Sequence, residues 1–320
     1  MLNDLLLSVC IPTYNRPELI ARTLRSVSVA SEKVEIIVTD NSQNNATEIA
    51  VNSVMKSAPC SWRYHRNNFS ADNSNFELMV MNLNMGVSMA KGRFIYIIHD
   101  DDFVVDDGID MLLADLEGRA AKYPVIKYGA HLVDIDGNII RTERSRTDRV
   151  LQPRDALKAV LSDSSFARFP SVLFRRDVYD KVGDWSIEAA GPLDFEMYVR
   201  AFREFGIVEY SDILGCYTIH DQAQTMNLFN RDKVEVLLKI FEQADPAGLL
   251  DDEELKSARA LFFHQFILGG TYRLLKWLRF RDAKMVMGLF SVPAVNELST
   301  PVKWLPIKLV FRFALLFTRP

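Results

Sequence analysis

His99-Asp100-Asp101-Asp102 follows directly on the apolar run Phe94-Ile95-Tyr96-Ile97-Ile98. Three consecutive carboxylates repel one another, and folding alone gives no reason to gather them at the end of a strand. A hard divalent cation does, because Mg²⁺ and Mn²⁺ take oxygen ligands and share them between one or two carboxylates and a substrate phosphate. An acidic turn capping the next helix would use the same residues, since Asp favours caps and turns. Asp40 closes a second strand-like run, Val34-Glu35-Ile36-Ile37-Val38. It could accept charge-assisted hydrogen bonds of ~1.5–3 kcal/mol from a base or ribose, or form an Asx turn. Pro12-Thr13-Tyr14-Asn15-Arg16 follows the first apolar run. No GxGxxG or GxxxxGK[ST] stands there, which counts against dinucleotide-binding and P-loop folds. A Pro-Thr-Tyr turn would present backbone groups and an aromatic edge to a nucleobase, or simply pack Tyr14 locally.

The elements that must position these groups alternate. Leu5–Ile11, Val34–Val38, Trp62–His65 and Phe94–Ile98 read as strands, and Glu18–Val29, Ala46–Met55 and Asn75–Ala90 as helices. Such β-α-β alternation predicts a parallel sheet with helices on both faces and ligands beyond the carboxyl ends of the strands. After about residue 105 the pattern is mixed. Gly108–Ala120, Asp155–Leu161 and Asp194–Phe205 are helical by pattern. Val125–Val133, Val172–Phe174 and Cys216–Ile219 are strand-like, and Asp136-Gly137 signals a hairpin. From about Lys233 the chain turns mainly helical, basic and aromatic.

At 320 residues the chain can bury a sizeable core. Its net charge of −4 carries no general polyanion-binding signal, so nucleic acid is not an expected partner. Cys10, Cys60 and Cys216 are odd in number, far apart and without zinc spacing, which suits a reducing compartment. The first residues lack a basic n-region, and no stretch reaches the ~18 uninterrupted apolar residues of a membrane span. The expectation is a cytoplasmic protein.

The ordered set resembles the inverting glycosyltransferases of the GT-A fold, of the large family 2 type common in bacterial surface-polysaccharide synthesis. It is carried by Ser8–Arg16, Glu35–Ser42, Asn82–Gly92, Phe94–Asp102, Leu193–Arg200 and Tyr217–His220. The likeness covers about residues 5 to 225. It implies an α/β GT-A fold, a Rossmann-like, mostly parallel sheet flanked by helices, with a helical C-terminal extension. A catalytic domain would span 1–225, divided into a nucleotide-sugar half (1–105) and an acceptor half (106–225), with the extension at 226–320.

The resemblance also implies roles. Pro12, Thr13, Tyr14, Asp40, Asn84 and Asp100 would hold the nucleotide of a nucleotide-diphosphate sugar, by default a UDP-sugar. Asp101, with Asp102 and His220 as further candidates, would bind Mn²⁺ or Mg²⁺ on the diphosphate. Asp194 would be the general base that deprotonates a hydroxyl of a saccharide or lipid-linked acceptor. Three departures stand out. His99 occupies a position where Asp is frequent, so the ligand could be any of the triplet, with Asp101 favoured by its spacing to Phe103. Leu83 replaces a donor-binding Arg of some relatives. Leu193 replaces a frequent Glu, and Glu196, two residues on from Asp194, should face elsewhere on the helix. A helix cap for Asp194 and a structural turn for His220 are the alternatives.

In the tail, Arg273, Lys276, Arg279, Arg281 and Lys284 interleave with Tyr272, Trp277 and Phe280, and Trp304–Phe317 is apolar but for Pro306, Lys308 and Arg312. This pattern fits either a helix lying in an anionic membrane surface or a core-packing subdomain with a solvated basic face. Two other functions compete with the transferase. A sugar-1-phosphate nucleotidyltransferase would show a glycine-rich basic signature after the first strand. A catalytically inactive scaffold would not need Asp194 or the triplet.

Overall fold

The computed structural model describes residues 5–70, 72–189, 191–220 and 228–316. β1 (Leu7–Thr13), β2 (Val34–Asp40), β3 (Ser61–Arg66) and β4 (Phe94–Ile97) form its parallel part, in the order β3-β2-β1-β4. Every residue of β1, β2 and β4 is buried, as central strands covered on both faces must be. α1 (Pro17–Val27), α2 (Ala46–Met55) and α4 (Gly108–Glu117) supply one core, with Ile20, Leu24, Val51 and Leu112 against Val9, Ile36 and Tyr96. α3 (Asn75–Met89) lies in the other through Val80, Leu83 and Val87. Register matters for the site: Thr13 pairs with Asp40 and Cys10 with Ile97, so β1, β2 and β4 end at one rim.

The sheet continues β9-β6-β10-β5, with β5 (Phe103–Val104), β6 (Val125–Val133), β9 (Val172–Arg175) and β10 (Ile207–Thr218). β9 runs antiparallel between β4 and β6, which makes the second half mixed. β7 (Ile139–Glu143) pairs with β6 through the Asp136-Gly137 turn, where Gly137 has φ +90°. β8 (Arg149–Leu151) pairs with the start of β10. The one strand expected at Cys216–Ile219 begins nine residues earlier, at Ile207, because Glu209, Ser211 and Asp212 break its apolar pattern. Glu209 is only 1% exposed and accepts from Lys127 Nζ at 2.6 Å, so a cross-strand ion pair stands where alternation would need an apolar residue.

α5 (Pro153–Ser162), α6 (Arg176–Val182) and α7 (Leu193–Phe205) cover the second half, followed by α8 (Arg231–Glu242), α9 (Asp252–Lys276), α10 (Phe280–Gly288), α11 (Pro293–Asn296) and α12 (Leu305–Leu316). These C-terminal helices share a core with α5 and α7: the Phe195 ring lies 4.5 Å from Phe262 and 5.6 Å from Phe241. The extension is therefore built onto the second half of the sheet.

α12 is held by a buried polar group. Lys308 Nζ lies 3.1 Å from His264 Nε2 and from Thr300 Oγ1, and 3.9 Å above the Phe290 ring. His264 Nδ1 lies 2.8 Å from the Ala260 carbonyl, so Nδ1 carries the proton and Nε2 accepts from lysine. Burial, with Lys308 adding to it, lowers the His264 pKa from its ordinary 6.5. The unfolded chain then binds the proton more tightly, and stability is lost as pH falls below 6.5. Amide hydrogen exchange in α12 should accelerate on going from about pH 7.5 to 5.5, after correction for intrinsic exchange. An unchanged protection pattern would show that this contact does not anchor the helix.

Candidate active site

The aligned strand ends bring the loop after β1 onto the carboxylates after β4. Thr13 Oγ1 donates to Asp100 Oδ2 at 2.7 Å, and Tyr14 N lies 3.4 Å from the same oxygen. Arg16 Nη1 sits between two carboxylates, 3.0 Å from Asp100 Oδ1 and 2.7 Å from Asp101 Oδ2. His220 Nε2, at the end of β10, lies 3.0 Å from that Asp101 oxygen. Asn15 reaches this geometry with φ +53°, a left-handed conformation that Asn tolerates, and its N–H donates to Ser42 Oγ at 2.7 Å.

α1 holds the triplet from below. The Thr23 hydroxyl lies 2.9 Å from the Asp100 carbonyl and 2.6 Å from that of Asp102. Arg22 Nη2 donates to the Asp101 carbonyl at 2.8 Å, and its guanidinium covers the Phe103 ring at 4.4 Å. The three carboxylates then differ in chemistry. Burial and the neighbouring Asp101 charge push Asp100 up to about 6, against Arg16 and Thr13. Burial also raises Asp101, but the His220 hydrogen bond and the Arg16 charge outweigh it and hold the group at about 2. Burial and the Asp101 charge push Asp102 well up, although its Oδ1 accepts from Thr218 N at 2.8 Å. Asp101 titrates lowest of the three, and Asp102 locks β10 to the loop.

Other expected residues fall differently. Asp40 is fully buried beneath the rim, with Oδ1 accepting from Ser42 N and Oδ2 from the Tyr64 hydroxyl, both at 2.7 Å. Its neighbour Asn41 lines the cavity instead. Asn84 is not brought to the site: its amide brackets the Trp185 backbone at 2.9 and 3.0 Å. Asn82 is, with Nδ2 donating to the Thr13 carbonyl at 3.1 Å. Pro12, Thr13 and Tyr14 line the cavity, with Tyr14 47% exposed. The His99 ring lies 4.2 Å from that of Phe169, tilted by 33°, and burial lowers its pKa.

Asp194 stands in the first turn of α7. Gly191, with φ +120° and Lys233 Cδ only 2.8 Å from where a Cβ would be, leads the chain into Pro192 and the helix. Asp194 Oδ1 accepts from Phe195 N at 2.8 Å. Burial raises its pKa, against that hydrogen bond and the Arg168 charge. Glu196 is turned away into an ion pair with Arg200 at 2.6 Å. One cavity of about 1420 Å³ is lined by Thr13, Tyr14, Arg16, Asp100, Asp101 and Asp194 together. No site role was expected of Arg16, Arg22, Thr23 or Asn82. Asn82 and Arg16 lie inside the motifs of the resemblance, whereas Arg168 falls in the irregular segment Phe166–Arg176 to which the sequence assigns acceptor specificity without singling it out.

Among the described residues no three His, Cys, Asp or Glu side chains converge as a ready metal cage. The donor set still fits a cation that arrives with its own phosphate oxygens. Asp100 Oδ1 and Asp101 Oδ2 are hard ligands, and the structure already stabilises the positive Arg16 nitrogen between them.

The sheet order, the rim of carboxylates and the helical extension define the GT-A fold, that of nucleotide-sugar transferases. Residues 8–183 match the model of "Glycosyl transferase family 2", and the chain belongs to that family. It is 24% identical over 180 residues to the GalNAc(5)-diNAcBac-PP-undecaprenol beta-1,3-glucosyltransferase of Campylobacter jejuni, the match spanning 55% of each chain. The chain thus spans about half the length of this relative. The structure resembles a 1–349 fragment of S. aureus TarS in complex with UDP-GlcNAc (TM-score 0.63, 14% identity, 97% of this chain and 92% of that one). It also resembles the mannosyltransferase PcManGT of Pyrobaculum calidifontis in complex with GDP-Man and Mn²⁺ (TM-score 0.57, 14% identity, 98% and 81%).

Proposed function

We propose that this chain is an inverting glycosyltransferase that moves a sugar from a nucleotide-diphosphate donor to a hydroxyl of a lipid-linked saccharide, in bacterial surface-polysaccharide synthesis. The observation that carries this reading is the single cavity shared by the Thr13–Arg16 loop, the Asp100–Asp101 pair and Asp194. Asp194 takes the proton of the acceptor hydroxyl while its oxygen attacks the anomeric carbon, and the bond to the donor diphosphate breaks. Glu196 is spent on Arg200, so Asp194 acts alone and a single displacement inverts the anomeric centre. Arg16 and His220 stand where the leaving diphosphate gathers charge. A divalent cation held by Asp101 would supply Lewis-acid neutralisation there.

Family membership and the lipid-linked substrate in the name of the Campylobacter relative support the acceptor class. Among the described residues no helix is long and apolar enough to cross a membrane. The tail supports a peripheral position on the cytoplasmic face: Val302, Leu305, Leu309 and Phe313 are exposed beside Lys303 and Arg312. The donor class is tested by calorimetric titration of UDP, dTDP and GDP with Mn²⁺ and with EDTA. One nucleotide should bind, and bind more tightly with the metal. Failure of all three on folded protein would overturn the donor reading.

A further inference from the structure

The cavity does not end at Asp194. It continues along β7 and the segment before β9 to α9 and α12, and its wall changes chemistry on the way. Beside Asp194 lies Arg168, close enough for each charge to act on the other. Arg168 covers the Tyr217 ring at 4.8 Å and donates to Glu143 at 2.6 and 3.1 Å. Glu143 also accepts from Arg141. Arg273 of α9 faces the same group, and burial with the charges of Arg168 and Arg141 lowers its pKa against Tyr217 and Glu143. Lys276 follows three residues on, on the same side of α9. A chain of net charge −4 has thus gathered three arginines and a lysine on one cavity wall. Guanidinium and ammonium groups brought together in this way suit an anionic ligand.

Past Lys276 the wall is apolar, made of Trp277 from α9 and Trp304, Ile307, Val310 and Phe311 at and within α12. The Trp304 indole nitrogen is buried and has no hydrogen-bond acceptor among the described residues. Elsewhere on α12, Leu309 is 55% and Phe313 63% exposed.

We propose that this channel is the subsite for the acceptor's carrier: Arg141, Arg168, Arg273 and Lys276 bind a diphosphate, and the α9–α12 wall takes the hydrocarbon chain esterified to it. The assignment rests on the glycosyltransferase reading and names the part of the acceptor that reading leaves open. From Asp194 outward the wall offers a base, then cations, then apolar surface. A saccharide diphosphate lipid presents a hydroxyl, a dianionic link and a hydrocarbon in the same order. Guanidinium groups match phosphate oxygens in bidentate fashion. A phosphate-bearing polymer would use the cations and leave the α12 wall idle.

The test titrates farnesyl diphosphate, pyrophosphate and farnesol into the full chain saturated with UDP and Mn²⁺, so that the donor site is filled. Farnesyl diphosphate should bind at least tenfold more tightly than either fragment. Arg141→Gln and Lys276→Gln change exposed side chains and should each weaken it about tenfold with UDP affinity unchanged. Val310→Asp should weaken farnesyl diphosphate and leave pyrophosphate alone. Pyrophosphate binding as tightly as farnesyl diphosphate overturns the lipid and points to a free or polymeric phosphate. No binding of farnesyl diphosphate to a protein that binds UDP overturns the carrier subsite alone. A wild-type chain that binds no nucleotide overturns the transferase reading and this inference with it.

Discussion

Asp194→Asn is expected to keep nucleotide binding and to lose sugar transfer by about 10²–10⁴-fold, the contribution of a positioned general base. Asparagine preserves the shape of the first turn of α7 and can still accept from Phe195 N. It cannot take a proton. Burial raises the Asp194 pKa above its ordinary 3.8, so transfer by the wild type should fall on the acid side along a limb lying above that value. The same shift has a sign for stability. The folded chain binds this proton more tightly than the unfolded one, so stability falls as pH rises from 3.8 to the folded value. Above the folded value the loss is complete, and there the uncharged variant should melt no lower than the wild type. Below pH 3.8 the two should converge. Calorimetric binding, single-turnover transfer and melting curves at two pH values check these statements. Wild-type turnover, or lost nucleotide binding in a folded variant, would sink the base assignment.

The second large effect concerns the cation position. Asp101→Ala removes the carboxylate held lowest of the three, and should weaken Mn²⁺-dependent nucleotide binding by about 10–100-fold, the worth of a charge-assisted contact of ~1.5–3 kcal/mol. Arg16→Met makes the complementary test. In the wild type its guanidinium bridges Asp100 Oδ1 and Asp101 Oδ2, so an incoming ion must compete with it. Without that nitrogen the two carboxylates lose the cation that lies between them, and Mn²⁺ alone should bind more tightly than to the wild type. The resonance spectrum of free against bound Mn²⁺ reads this without any turnover. Equal affinity in the two proteins would show that Arg16 does not hold the cation position.

Much of the first, parallel half of the sheet was legible because its signals are local. Strands buried on both faces are continuous apolar runs, and β1, β2 and β4 stood out on that ground. The carboxylates were conspicuous because nothing in folding explains a charged triplet at a strand end. The division of labour within the triplet was not legible. It depends on Thr13 and Arg16 from one segment and on Thr218 and His220 from another, which together hold Asp101 lowest of the three. Asn84 misled for a geometric reason. On a helix, residues two apart face different sides, and Asn82 takes the site-facing position. β10 was truncated in the sequence reading because its Glu209 is paired with Lys127 across strands, a contact that periodicity cannot register.

By itself, then, the sequence determined the β-α-β frame, the family of the chain and the short list of carboxylates, all of which are written in residues near one another along the chain. The tertiary structure alone decided how the titration of those carboxylates divides. It also laid the C-terminal helices on the second half of the sheet and joined Arg141, Arg168 and Arg273 into one wall. Charge state and cavity shape depend on burial and on partners up to a hundred residues and more apart, such as Asp101 with His220, and distance along the chain carries no record of either.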